Sequence, residues 1–514
     1  MHSYKNNRSK YSSFILIFVA IKIGLNVLAI SHYGFHRDEL LHLALGDHLD
    51  WGFKEVPPFI ALLAKITTSV FGDSVFAARI FSTIFSGLII WFTGQIVVEL
   101  GGRKFAITLS CLALIFSPAF AASGYLFQPV VFDQLWWVLT VYLLIRYINT
   151  SSPVYIYLLG AVIGIGLLTK YTMAFFAIAL VLGLLITRQR KILWNRHILF
   201  AAVIAFLIFL PNLIWQFQHH LPVVTHMKLL RSQQLEYITP IDFIKQQLTI
   251  NGIALIIWLV GLGFLLFSKR LRNFQFLAFA YILVFIFLLE MNGKNYYLFG
   301  AYPMLFAAGG YGFERWIKAK GYAFRTAIVL LFTLPDLLLF PLVLPMFPIN
   351  QTLGWFKLLH ITPTWEDRKT HPLTQDYGDM FGWDEITEKV AKAYNSLTPE
   401  QQKHTQIYAD NYGEAGAIHH LGKQYNLPDV ASLNSSFTLW APDELNAYYI
   451  IYVDDKDGEN VKKFAPYLES YTKIGEVTNP YAVEKGTGIF LLVNPHPAVL
   501  NDTYRKELAL KRLE

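Results

Sequence analysis

The segment YGFHRDELLHLALGDHLDWGFKEVPPF, Tyr33 to Phe59, follows directly on the apolar run Ser13 to Ile30. It gathers Arg37, Asp38, Glu39, Asp47, Asp50, Lys54 and Glu55 with His36, His42 and His48. Whether these ionisable groups belong to a soluble surface or to a loop at a membrane face decides the fold.

The rest of the chain answers for the membrane. Of its 514 residues 54% are hydrophobic and only 15% charged, against about 25% charged in typical soluble domains. Apolar runs of about 17 to 25 residues, enough to cross a bilayer core of about 30 Å, recur from Ser12 to about Phe347 and then stop. About 11 spans are expected: Ser13 to Ile30, Val75 to Val98, Phe105 to Ser123, Phe132 to Tyr147, Tyr155 to Thr169, Thr172 to Thr187, Ile198 to Trp215, Leu248 to Phe267, Phe274 to Glu290, Tyr296 to Phe313 and Ala327 to Pro345. The leader MHSYKNNRSK is basic, but the run behind it is longer than a signal-peptide core and lacks a small-residue cleavage pattern, so it reads as an uncleaved first span.

Charge divides the chain at the same place. Met1 to Pro345 holds 27 Lys and Arg against 13 Asp and Glu, whereas Met346 to Glu514 holds 16 against 23. The basic excess falls in GGRK at Gly101, RYINTS at Arg146, RQRKILWNR at Arg188, SKRLR at Ser268 and ERWIKAKGYAFR at Glu314. One orientation, with the N-terminus in the cytoplasm, puts all of these clusters inside. Topology thus accounts for the charge, and no nucleic-acid partner is implied. Cys111 is the only cysteine; it permits neither an intramolecular disulfide nor a Cys-based metal site.

This orientation sets Tyr33 to Asp73, the turns at Asp133, Lys170 and Glu290 to Asn295, Gln216 to Gln247 and the C-terminal part on the outer face. In the first of these, apolar residues at helical spacing, broken by charges and by Pro57-Pro58, suit amphipathic helices at the interface, over 32–74. From 346 to 514 the helix-like WDEITEKVAKAYNSL alternates with the strand-like TQIYADN, AYYIIYVDD and GIFLLVNP, which predicts a soluble α/β domain. FPLVLPMFP near Phe340 is the candidate junction, and Asp336 just before it has no reading.

Ionisable residues at membrane depth cost roughly 2.5 to 3.5 kcal/mol each at a helix centre, so their positions carry the chemistry. Asp38 and Glu39, flanked by Arg37, can poise a carboxylate as general base at the mouth of a cavity, or merely end a helix at headgroup level. Asp133 in YLFQPVVFDQLWW can bind substrate or only complement a helix dipole. Lys170 in GLLTKYT and Lys294 in EMNGKNYYLFGAYPML can hold a phosphate as point charges, or snorkel. His36, His42 and Glu55 admit a divalent metal without diagnostic spacing. No P-loop, Rossmann fingerprint, G-x-S-x-G elbow or H-E-x-x-H is present.

The acidic pair of the first loop, WGFKEVPPF, FGDSVFAARIFS, FDQLWW, GLLTKYT and GKNYYLFGAYPMLFAAG together resemble membrane glycosyltransferases of family 39. That family includes the dolichyl-phosphate-mannose protein mannosyltransferases and the bacterial aminoarabinose transferases. The resemblance covers most of Tyr33 to Gly312, and IYADNYGEAGAIHHLGKQYNLP is similar to the tail of bacterial members. It implies a mainly α, polytopic GT-C fold taking a sugar from a polyprenyl-phosphate donor at the outer face of the inner membrane, with a lipid, polysaccharide or protein acceptor. It further implies that Asp38 is the catalytic base with Glu39 beside it. Arg37, Lys54, Asp133, Lys170, Lys294 and Tyr297 would serve donor phosphate or substrate, and Glu55 matches a metal-contacting acid.

Where the aminoarabinose transferases carry an arginine and a lysine, this chain has Leu41 and Val56, and Lys54 stands two residues from the missing lysine. The loop from Gln216 to Gln247 is too short for the inserted domain of the protein mannosyltransferases. A transporter or flippase for polyprenyl-linked glycans, which would place acids mid-helix, and a non-catalytic envelope scaffold are the rival readings.

Overall fold

The computed structural model describes residues 2–30, 32–318, 320–445, 447–455 and 458–513. The chain divides into two compact units: Met1–Ser31 with Arg79–Trp215 and Met227–Met346, and His32–Ala78 with Gln216–His226 and Phe347–Glu514.

The first unit is helical. Among the described residues, Tyr11–Ile30, Val75–Glu99, Pro129–Thr150, Arg196–Gln218 and Arg272–Glu290 are long and apolar enough to cross a membrane. Two bent pairs raise the number to seven if each is one span: Thr172–Leu185 with Arg188–Trp194, bent by 117°, and Pro240–Thr249 with Gly252–Phe267, bent by 101°. Of the other expected spans, Tyr155 to Thr169 is one shorter unbroken helix, Val154–Thr169, and the rest are helical but interrupted. Lys104–Phe116 ends at Ser117, whose extended backbone precedes Pro118 and the short helix Pro118–Ala122, as the residue before a proline resists helical geometry. Tyr302–Trp316 is preceded by a 3-10 stretch, Asn295–Ala301. The last expected span is three pieces, Tyr322–Leu331, Leu334–Leu337 and Phe340–Val343, with Pro335 and Pro341 at the starts of the second and third.

Broken backbone among apolar helices must find hydrogen-bond partners, and side chains supply them. The amide of Ile253 donates to Asp336 Oδ1 at 2.9 Å. Gly252, at φ +57°, leaves that carboxylate the space a Cβ would fill. This gives Asp336 its reading. Lys22 Nζ donates to the Phe120 carbonyl within the short helix Pro118–Ala122 at 2.9 Å, and between that helix and Pro129–Thr150 Asn26 Nδ2 donates to the carbonyl of Gly124 at 2.7 Å and Ser82 Oγ to that of Leu126 at 2.8 Å.

The second unit holds the first charged segment and the C-terminal part. Its mixed sheet comprises β1 (Thr405–Ala409), β2 (Val430–Ala431), β3 (Tyr449–Asp454), β4 (Ser470–Glu476) and β5 (Gly488–Val493), in the order β2-β1-β3-β5-β4. β1 runs parallel to β2 and β3, and β5 antiparallel to β3 and β4. The three strand-like runs are β1, β3 and β5, and the helix-like run is Trp383–Asn395. Ile407, Ile451, Val453 and Ile489 are fully buried on one face of the sheet.

The first charged segment forms two helices, Arg37–Asp47 and Phe59–Val70. The first departs from the amphipathic expectation, with every residue from Glu39 to Gly46 buried. Its neighbours explain this: Gly46 packs against Ala64 of the second helix, and Leu40 against Gly416 of helix Tyr412–Leu421. Asp47 secures the arrangement, accepting from Lys423 Nζ at 2.8 Å and lying 3.2 Å from His419 Nε2.

Candidate functional site

Asp38 sits in the first turn of Arg37–Asp47, where the helix dipole favours a carboxylate. The turn is held by a capping box: the amide of His36 donates to Glu39 Oε2 at 2.8 Å, and that of Asp38 to His36 Nδ1 at 3.1 Å. Glu39, fully buried, is therefore a cap, and Asp38 is the member of the acidic pair left partly accessible.

The C-terminal part of the same unit closes around Asp38. The Tyr412 hydroxyl donates to Asp38 Oδ1 at 2.9 Å, and the Arg37 guanidinium lies 4.6 Å from the centre of the Tyr412 ring. Gly413 makes the seat, since a Cβ there would meet Arg37 Cγ and the Trp383 ring. The Arg37 amide donates to the Asp379 carbonyl at 3.0 Å, and His36 Nε2 lies 3.8 Å from Asp379 Oδ2.

This surrounding splits two carboxyl groups. Burial pushes Asp38 up, but His36, His42, the Tyr412 hydroxyl and Arg37 outweigh it, and the group titrates below the usual carboxylate range. Burial pushes Asp379 up to about 7, against the pull of His36 and Arg37 and with the help of Asp38 and Asp376. Pairs of titratable groups driven apart in this way mark acid–base sites. Asp38 is the member that stays ionised at neutral pH, as a base must.

Lys54 and Glu55 have partners of another kind. Lys54 Nζ donates to Thr438 Oγ1 at 3.5 Å and to the Lys511 carbonyl, and Ser436 Oγ donates to Glu55 Oε2. Both tie the loop to the Ser435–Leu439 turn. Glu55 Oε1 is buried without a hydrogen-bond partner. Among the described residues, the one group of three His, Cys, Asp or Glu with converging ligand atoms is Asp410, Asp454 and Asp455, which does not include Glu55. A lone carboxylate oxygen does not make a divalent site, so Glu55 does not fit a metal.

In the helical unit Asp133, Lys170, Lys294 and Tyr297 come together. Asp133 Oδ1 accepts from Trp137 Nε1 at 3.0 Å and Oδ2 from Thr172 Oγ1 at 2.7 Å. Lys170, extended at the end of Val154–Thr169, faces both Asp133 and Lys294. Its Nζ lies 4.6 Å from the ring centre of Tyr296 and 4.7 Å from that of Tyr297, and Lys294 Nζ lies 5.9 Å from that of Tyr296. Two ammonium groups held by aromatic faces are a cationic cluster with room in its chemistry for an anion.

Sequence reasoning did not find Asp379, Tyr412 or Lys22. Tyr412 lay inside a tail already noted for its resemblance, so a signal existed. Asp379 and Lys22 are single residues without a pattern, and only folding gives them partners.

Residues 55–215 match the family model described as dolichyl-phosphate-mannose-protein mannosyltransferase. No curated protein sequence matches the chain. Among solved structures it is similar to ArnT from Cupriavidus metallidurans. With undecaprenyl phosphate bound, the TM-score is 0.59 at 14% identity over 94% of this chain and 98% of that one; in the apo state it is 0.59 at 15% over 95% and 99%. The arabinofuranosyltransferase AftD from Mycobacteria gives 0.53 at 12% identity over 94% of this chain and 40% of the other. The resemblance to membrane glycosyltransferase family 39 read from the sequence is thereby borne out, by a family model over residues 55–215 and by an ArnT-like GT-C fold over nearly the whole chain.

Proposed function

We propose that the protein transfers a sugar from a polyprenyl-phosphate donor to a glycan, lipid or protein acceptor at the outer face of the inner membrane. In this reading the N-terminus is cytoplasmic and the C-terminal domain periplasmic. The observation that carries it is Asp38: a carboxylate kept ionised at a helix start, oriented by the Tyr412 hydroxyl and seated beside Arg37.

The chemistry then has a defined order. Asp38 accepts the proton of the acceptor hydroxyl, whose oxygen attacks the anomeric carbon. The bond from that carbon to the phosphate oxygen breaks, and its electron pair leaves with polyprenyl phosphate. Lys170 and Lys294, clustered within the helical unit, fit the binding of a lipid phosphate, and Asp133 anchors its helix to Thr172 beside Lys170. Glu39 keeps a capping role, and Lys54 and Glu55 hold the loop.

Mass spectrometry of envelope lipids and polysaccharides from a deletion strain tests the reading. A glycan mass should vanish on deletion, return with the wild-type protein and stay absent with Asp38→Asn at equal expression. Full restoration by Asp38→Asn would remove Asp38 from the chemistry.

A further inference from the structure

The face of the sheet opposite the buried isoleucines holds a cavity that the proposed reaction does not use. Tyr408, Ile450, Tyr452 and Leu492 line it from β1, β3 and β5, with Tyr408 paired to Tyr452 and Ile450 to Leu492 in register. Helices Glu459–Phe464 and Pro497–Leu513 cover this face but leave about 360 Å³ between them and the strands. That volume lies within the range of small-molecule sites, about 300 to 1,000 Å³.

Polar groups gather at one edge of this cavity. Asp410 directly follows β1, and Asp455 directly follows Asp454 at the end of β3, so the carboxylates stand at the carboxyl ends of two adjacent parallel strands. Open α/β sheets bind their ligands outside such ends. Asp410 is already oriented: Tyr452 donates its hydroxyl to Oδ1 at 2.6 Å and Asn460 its amide to Oδ2 at 2.9 Å. Lys463 and His496 line the same cavity, and so does Tyr467, whose ring is half exposed.

We infer that this cavity is a saccharide-binding site for one or two sugar residues. A sugar ring has an apolar C–H face that packs on aromatic and aliphatic walls, and hydroxyls that each donate and accept. The cavity offers that combination: tyrosine and aliphatic walls, carboxylate acceptors, and amide and ammonium donors. A phosphate would meet Asp410, Asp455 and Glu507, a simple cation would meet Lys463, and a purely apolar ligand would strand all of them. The inference rests on the cavity and not on the transferase reading.

The test is saturation-transfer NMR on the full chain in a zwitterionic detergent free of sugar headgroups. Probes are glucose, galactose, mannose, N-acetylglucosamine, rhamnose, arabinose and the disaccharides maltose and lactose. At least one should receive saturation on its ring C–H protons, and the signal should fall at least tenfold in Asp410→Ala and in Tyr467→Ala. The second variant lies at a half-exposed position, so its folding is not at risk. Asp38→Asn should bind as the wild type does. The inference is overturned if no probe receives saturation, or if binding persists unchanged in both cavity variants. It is also overturned if the cavity variants abolish calcium binding, read by calorimetry, without altering any saccharide signal. Loss of transfer in Asp38→Asn with saccharide binding intact leaves the two readings separately judged.

Discussion

Asp38 and Asp133 are both carboxylates near the start of a helix and near a cation, yet their surroundings give them different work. Asp133 has one neutral donor on each oxygen, the indole of Trp137 and the hydroxyl of Thr172. Such a group is anchored, and its value lies in where it holds the helix and Lys170. Asp38 is surrounded instead by His36, His42, Arg37 and a phenol, which together hold its carboxylate in the ionised form against burial. The difference teaches that an acid near a helix start is read from its partners, since residue type alone does not tell the two apart.

Substitutions can break or sharpen that contrast. Asp38→Asn keeps shape but removes the proposed base, and transfer should fall by about 10²- to 10⁴-fold, measured as sugar incorporated per unit of protein, with thermal stability nearly unchanged. Asp133→Ala should do the reverse, costing about 1 to 3 kcal/mol of stability because two buried donors lose their acceptor. A thermal melt in detergent reads it, and a larger loss in turnover than in stability would place Asp133 in the chemistry.

Lys170→Met should weaken polyprenyl-phosphate binding more than Lys294→Met does, since Lys170 Nζ lies within 4.7 Å of two ring centres whereas Lys294 Nζ lies 5.9 Å from that of Tyr296. A titration with polyprenyl phosphate, followed by protection from unfolding, separates the two.

Tyr412→Phe removes one hydrogen bond from Asp38, and the acidic limb of the pH–rate profile should move upward by a fraction of a pH unit to about one unit. The smallest effect concerns Asp379. Burial raises its pKa in the folded chain to about 7, well above the ordinary carboxylate range of about 4, so between those values the folded state binds more protons than the unfolded one. Stability contributed there is full below about pH 4 and is lost as pH rises through about 7. Asp379→Asn should flatten that decline in melts run from pH 5 to pH 8.

Much of the arrangement was legible in the residues. Span length and charge asymmetry mark the helical unit, and alternating apolar runs mark β1, β3 and β5. β2 escaped because two residues carry no period. β4, SYTKIGE, escaped because an exposed edge strand shows little burial pattern. The Lys170, Lys294 and Tyr297 group was found because its members share turns on one expected face. The breaks at Ser117 and before Pro335 and Pro341 are local and proline-driven, but apolar composition concealed them. Glu39 stood beside Asp38 as the second member of the acidic pair, and its full burial and capping hydrogen bond to the His36 amide set it apart. Asp379 and the tyrosine that orients Asp38 lie more than 340 positions away along the chain, a separation no local pattern reports.

The central claim is that Asp38 is the base of a sugar transfer from a lipid phosphate. The direct measurement incubates the purified chain with polyprenyl-phosphate sugars extracted from the deletion strain and an acceptor fraction from the same envelope, and follows free polyprenyl phosphate together with glycosylated product. The account predicts that wild type produces both in equal amounts and that Asp38→Asn slows both at least 100-fold while still binding polyprenyl phosphate. Equal release by Asp38→Asn and wild type would contradict it, as would movement of the lipid-linked sugar with no bond broken.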